Sequence, residues 1–281
     1  MTSEWVPAVV ASGTSAPGAV ADSVHRISVV VPARNEEALV GRCLDSLEAA
    51  VERLHLTSPD VAVDLVVVLD ACTDGTARVV EAHPGVTVLE IDAARVGAAR
   101  QAGIRLVVDR EHVRAATGHD DVPDGDPAVG HWVANTDADS TVPASWLLDQ
   151  LAFARGGHDV VVGVALPDPA ELSPEVHVLW NGLHRLVEGH EHVHGANLSF
   201  RLSTYLAAGG FEPLRVHEDV RLVERMRALG ARVTATAQVR VRTSGRTTGR
   251  APHGFAAYLE DLTALAGAPP DHDDERAERT A

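Results

Sequence analysis

The feature that most constrains the fold is a regular alternation of apolar periods between residues 27 and 108. Ile27 to Val31, Val63 to Leu69 and Val86 to Ile91 are short β-branched apolar runs, the pattern of strands buried on both faces. Between and after them, apolar residues recur at helical spacing: Leu39, Val40, Cys43, Leu44, Leu47, Val51 and Leu54, then Val79 and Val80, then Val96 to Val108. A β-α-β-α-β-α order predicts parallel strands with helices on both sheet faces. Asn35 is expected to cap the first helix, with Glu36 and Glu37 in its first turn, and Asp74 to cap the second.

From Asp109 to Gly130 the rhythm breaks into a polar, Asp- and Pro-rich stretch, read as a surface insertion. Trp132 to Thr136 returns to strand, Pro143 to Phe153 to helix and Val160 to Leu166 to strand. Helices are expected over Pro174 to Glu188, from Ser203 as cap to Gly209-Gly210, over Glu218 to Leu229 and over Gly254 to Ala266, with a strand at Arg232 to Arg242. Residues 1–25 read as a flexible arm and residues 267–281 as a disordered acidic tail. One domain is expected over 26–266, with a nucleotide-binding half at 26–140 and an acceptor and catalytic half at 141–266.

Charge narrows the partners. The formal net charge is -16 and no basic stripe exists, which argues against nucleic acid. All 24 formal cations are arginines, so chemistry that needs a lysine is excluded. Cys43 and Cys72 form no disulfide framework. There is no apolar run of membrane-spanning length and no basic start leading into an apolar stretch, so a cytoplasmic location is expected.

Six constellations carry potential chemistry. Pro32, Arg34 and Glu36 follow the first strand, where Arg34 can reach a base or phosphate and where simple capping is the plainer alternative. Asp70 ends the second strand and suits a nucleobase edge or ribose, whereas Asp74 and Thr76 suit a turn and cap. Arg95 and Arg100 can pair with phosphate. The small residues between them and Gly103 serve close approach to a ligand or, nearly as well, to the sheet.

Asp137 and Asp139, one residue apart at a strand end, can face one hard cation such as Mn²⁺ or Mg²⁺. Glu218 and Asp219 open a helix, as a cap or as a general base. Asn197, after His194-Gly195-Ala196, suits an acceptor or phosphate. His190, His192 and His194 alternate on one strand face, without the further ligands a zinc site needs.

In this order the motifs resemble the family 2 glycosyltransferases of the GT-A fold, over Arg26 to Leu262. The resemblance implies a mainly parallel mixed sheet flanked by helices, a nucleotide-diphospho-sugar donor and a hydroxyl acceptor, with a homodimer allowed for. It implies that Pro32, Arg34 and Glu36 line the nucleotide pocket with Asp70 near the base, that Asp137 contacts ribose or metal, that Asp139 ligates the metal and that Asp219 is the catalytic base. His253 is the expected late metal ligand, Arg246 or Arg250 the counter-charge to the leaving diphosphate, and Trp180 a stacking platform for a sugar. Transfer with inversion is expected. The alternatives are a nucleotidyltransferase, which would carry an early Gly-rich loop and a lysine, and a nucleotide-sugar-binding pseudoenzyme on the same scaffold.

Overall fold

A computed structural model describes residues 24–117, 128–184, 187–214, 216–249 and 254–267. The described residues of Met1–Pro167 and Leu186–Ser244 form one compact unit, and those of Asp168–Arg185 and Gly245–Ala281 form a second. This division is one of compactness. The expected halves, parted at residue 140, are divisions of function.

The first unit is built on one sheet of eight strands: β1 (Arg26–Ala33), β2 (Ala62–Asp70), β3 (Val86–Ile91), β4 (His131–Asn135), β5 (Ser140–Thr141), β6 (Val160–Pro167), β7 (Leu198–Arg201) and β8 (Val233–Thr243). Their order is β3-β2-β1-β4-β7-β6-β8-β5. β1 pairs in parallel with β2 and β4, β2 with β3, and β6 with β8. β7 runs against both β4 and β6, and β5 against β8, so the sheet is mainly parallel and mixed.

Helices cover both faces. α1 (Val40–His55) and α4 (Trp146–Arg155) pack on one face with Val29, Val31, Val161, Val239 and Val241. α3 (Val96–Thr117), α6 (Leu202–Ala207) and α7 (Glu218–Ala228) pack on the other with Val30, Val66, Val68 and Val162. Successive residues of β1 thus feed opposite cores, which is why the strand reads as an unbroken apolar run. The short α2 (Thr76–Glu81) follows β2.

α3 lies unusually close to the sheet. A Cβ built on Gly103 would sit 2.6 Å from Val30 Cγ1 and 2.9 Å from Val68 Cγ2. For Gly103 the structure therefore selects sheet packing over ligand approach. Gly103→Ala gains about 1 kcal/mol of helix propensity and loses more to overpacking, for a net destabilisation of about 1–2 kcal/mol by chemical denaturation. A stabilised variant would contradict this packing.

Several expectations are corrected. α1 begins at Val40 after Leu39, which makes no side-chain cap bond, so Asn35, Glu36 and Glu37 precede the helix. Asn35 takes φ 53° instead, and its Oδ1 accepts from the Thr73 amide at 2.7 Å, because the chain must turn off β1 to meet the loop after β2. α6 begins at Leu202 with Arg201 as cap, which puts Ser203 inside the helix. α3 continues to Thr117, because Val107 and Glu111 still face inward; residues 118–127 of the expected insertion lie outside the described residues. His190, His192 and His194 belong to no strand, where one was expected, and their rings stack successively at 6.2 and 6.1 Å.

The register between β6 and β8 shifts after Val162. Val162 pairs with Ala235 and Val164 with Arg240, so β8 bulges over Thr236 to Val239. Asn197 fills the bulge: its Nδ2 donates to Val164 O and Val239 O, both at 2.9 Å, and its Oδ1 accepts from Trp146 Nε1 at 3.0 Å.

At the amino ends of the strands a buried polar cluster ties β1, α3 and β4 together. Glu111 lies 3.0 Å from both Arg26 and Arg114, and 3.3 Å from His131. Burial opposes its ionisation, but these partners outweigh burial and hold its carboxyl at about 2, below the usual 4.5. A depressed carboxylate stabilises the fold above its unfolded value and loses that contribution as pH falls. Unfolding free energy is therefore expected to drop by up to about 3 kcal/mol between pH 4.5 and 2, and Glu111→Gln to flatten that slope in denaturation curves.

The second unit holds a 3₁₀ turn (Pro169–Glu171), α5 (Pro174–Leu183) and α8 (Phe255–Gly267). Ser173 caps α5, accepting from the Val176 amide, and the expected helix ends at Leu183 rather than Glu188. Val176, Trp180, Leu259 and Leu262 make its small core. Among the described residues no helix is long and apolar enough to cross a membrane.

Candidate active site

The carboxyl ends of parallel strands leave backbone groups and loops open to a ligand. Strain gathers there. Among the described residues four non-glycines take left-handed φ: Asn35 (53°), Ala71 (52°) and Ala94 (52°), which follow β1, β2 and β3, and His217 (63°), which precedes α7. Each costs roughly 1 kcal/mol or more, so the surrounding contacts must impose it.

Asp70, at the end of β2, is 3% exposed. Its Oδ1 accepts from the amides of Ala93 at 2.8 Å and Ala94 at 2.7 Å, and its Oδ2 from that of Arg95 at 2.8 Å. It thereby fixes the loop after β3, which presents Arg95 to solvent. The loop after β1 is held to the loop after β2 in the same way. Cys72 Sγ lies 3.4 Å from Ala33 O, and the Glu36 amide donates to Thr76 Oγ1 at 2.7 Å. Asp74 Oδ1 accepts from the Thr76 amide at 3.0 Å, but the cap of α2 is Gly75, so Asp74 stands one residue before the position expected of it. Pro32 is half-buried, Arg34 exposed and Glu36 buried, so this loop shows its guanidinium outward and keeps its first carboxylate inward.

Asp137 and Asp139 stand on the turn between β4 and β5. Asp139 Oδ1 accepts from Thr243 Oγ1 at 3.2 Å and Ser140 Oγ at 3.4 Å, and its backbone carbonyl from the Ser244 amide at 3.1 Å. The end of β8 thus clamps the acidic turn. Sequence reasoning gave Thr243 and Ser244 no role; two hydroxyl residues closing an alternating strand were the available signal.

The Cys43 thiol, behind the turn, is pushed up by burial and then by the charges of Asp139, Asp137 and Glu36. Three carboxylates therefore converge on one locality. Two of them, partly exposed on one turn, form a hard oxygen donor set that fits Mg²⁺ or Mn²⁺. Among the described residues the one group of three potential ligands close enough to share an ion is Asp45 and Glu48 of α1 with His83 after α2.

Arg100 joins this turn to α7. Buried on α3 at 3% exposure, it donates through Nη2 to Asp137 Oδ1 at 2.6 Å and through Nη1 to Glu218 Oε1. Gly195 permits this, since a Cβ there would overlap the guanidinium. Gly97 lets α3 approach the chain before α7, where a Cβ would sit 2.6 Å from Glu212 O. Both guanidinium nitrogens named here serve carboxylates of the chain, where a phosphate contact was expected.

Burial works against the charge on Arg100, but Asp137, Glu218 and Asp219 outweigh it and raise its pKa. Burial raises that of Glu218, against the pull of Arg100. Asp219, half-buried, accepts from the Gly195 amide through Oδ2 at 2.7 Å and from the Val220 amide through Oδ1 at 2.8 Å. These bonds aim its carboxylate without adding a formal positive charge.

Other expected site residues are placed elsewhere. Asn197 is fully buried with its amide engaged inside the sheet, so what the structure shows is a core role in place of the expected acceptor contact. The face of Trp180 is stacked by His184 at 3.6 Å, with Phe255 and Tyr258 edge-on, in the place where a sugar was expected. Arg246 belongs to the second unit and is partly buried. His253 and Arg250 lie outside the described residues.

The mainly parallel mixed sheet flanked by helices is an α/β architecture of the GT-A type. The sequence matches the family described as Glycosyl transferase family 2 over residues 28–192, and the chain belongs to that family. Comparison with curated proteins gives no match. Among solved structures, the fold is similar to the mannosyltransferase PcManGT from Pyrobaculum calidifontis in complex with GDP-Man and Mn²⁺, at 21% identity and TM-score 0.52, covering 87% of this chain and 63% of that one. It is also similar to S. aureus TarS 1-349, at 16% identity and TM-score 0.51, covering 86% of this chain and 64% of that one. The chain thus spans somewhat less than two thirds of either structure.

Proposed function

We propose that the protein is a divalent-metal-dependent glycosyltransferase that moves a sugar from a nucleotide-diphosphate donor to an acceptor hydroxyl with inversion. The observation that carries this reading is Arg100, which joins the Asp137 turn to the start of α7 and so brings two carboxylate centres into one site.

Asp139 and Asp137 are the residues that would hold Mn²⁺ or Mg²⁺; such an ion, when bound, offsets charge on a departing diphosphate. Arg34 and Arg95, exposed on the loops after β1 and β3, are the cations that would meet an anionic donor. Asp219, held by the Gly195 amide, accepts the proton of the acceptor hydroxyl as its oxygen attacks the anomeric carbon. Glu218, buried against Arg100, is a positioning residue that keeps the helix start in register with Asp137. One base and direct displacement give inversion.

Thermal melting with UDP and GDP, with Mn²⁺ or with EDTA, tests the donor half. A nucleotide at 100 times its Kd stabilises the native state by about 2.7 kcal/mol. A rise in melting temperature that needs both nucleotide and ion is expected. Indifference to both nucleotides in the presence of Mn²⁺ would refute the proposal.

A further inference from the structure

Past its bulge, β8 alternates: Val239, Val241 and Thr243 are buried, while Gln238, Arg240 and Arg242 are exposed. Val239 and Val241 enter the core beneath α1 and α4, so Arg240 and Arg242 project from the opposite face, the one that carries α7. The register sets Arg240 beside Val164, and Arg242 between Leu166 and Thr141.

The strand that carries this patch runs to the site, through residues that neighbour the two arginines in sequence. Asn197 binds Val164 O and Val239 O at the strand position of Arg240, and two residues earlier the Gly195 amide holds Asp219. One residue past Arg242, Thr243 Oγ1 meets Asp139.

Several buried or partly buried arginines of this acidic chain lie against carboxylates, as Arg26, Arg100, Arg114, Arg201 and Arg225 do. Among the described residues Arg240 and Arg242 have no carboxylate within ion-pair distance. Arg240 Nε donates to Ala237 O at 2.6 Å, which anchors the side chain of an exposed residue. The two residues stand about 7 Å apart along the strand on one face, and the forked donors of a guanidinium match a phosphate or carboxylate.

We propose that Arg240 and Arg242 bind an anionic oxygen group, phosphate or carboxylate, on the acceptor, so that the acceptor is an anionic hydroxyl compound rather than a neutral sugar. The inference rests on the glycosyltransferase reading, in which the donor diphosphate belongs to the Asp137–Asp139 side.

Calorimetric titration of the full chain, without added metal, uses inorganic phosphate, glycerate and glycerol as probes. Phosphate or glycerate is expected to bind and glycerol not, and the anion that binds tells a phosphate-bearing from a carboxylate-bearing acceptor. The Arg240→Gln/Arg242→Gln double variant is expected to bind that anion at least about tenfold more weakly. Arg105→Gln, on an exposed position of α3, serves as the control and keeps the binding of the unmodified protein.

Equal binding by the double variant, or no anion binding by the unmodified protein, overturns the proposal. An Arg240→Lys/Arg242→Lys variant, which keeps the charge and loses the fork, carries the test if the Gln variant melts early. Release of nucleoside diphosphate from donor by the unmodified protein with Mn²⁺ reports separately on the glycosyltransferase reading. Anion binding without donor cleavage under any condition would sink that reading alone.

Discussion

Asp219→Asn is expected to lower transfer by about 10³-fold, the scale of a lost general base, while nucleotide binding stays near that of the unmodified protein. The replacement is nearly isosteric, and its carbonyl oxygen can still accept from the Gly195 amide. The bond to the Val220 amide is then lost, because the second oxygen has become an NH₂ group. The stability cost should therefore stay about 1 kcal/mol, and the loss of turnover would not be a loss of fold. A variant that turns over normally removes Asp219 from the chemistry and leaves Glu218 as the carboxylate to examine.

Asp139→Ala is expected to fail one step earlier. It removes the carboxylate to which the proposal assigns the ion, and whose Oδ1 accepts from the Thr243 and Ser140 hydroxyls. Transfer should fall at least about 100-fold and the Mn²⁺-dependent rise in melting temperature should vanish. The Ser244 amide still finds the Asp139 backbone carbonyl, so the clamp from β8 survives. The pair of variants separates the two functions: both lose transfer, and only Asp139→Ala loses ion-dependent nucleotide binding. If Asp139→Ala binds nucleotide with Mn²⁺ as before, the ion is held elsewhere.

The early half of the fold was legible because β1 and β2 are unbroken apolar runs and a helix follows each of the first three strands, although β3, at the sheet edge, is only partly buried. β7 was not, since four residues wedged antiparallel between β4 and β6 carry no period of their own. The end of α3 was misread because its outer face is charged, whereas its continuation depends on Glu111 finding Arg26 and His131 inside.

The candidate site divides similarly. Asp137, Asp139 and Asp219 were readable as acids at strand and helix ends. That Arg100 would serve Asp137 and Glu218 was not, as its partners lie 37 and 118 residues away. Asn197 and Trp180 looked like ligand contacts because both types bind sugars well; the bulge in β8 and the ring of His184 engage them first.

The choice of arginine for the buried crosslink has a consequence for alkaline solution. A guanidinium keeps its proton at any pH the fold survives, and the fields of three acids strengthen that hold on Arg100. An ammonium in the same place would let go as hydroxide rises, and the acidic turn would part from the helix that carries Asp219. In a chain without a single lysine, that failure is designed out, so the basic limb of its rate profile should trace to bound metal or substrate and not to the scaffold.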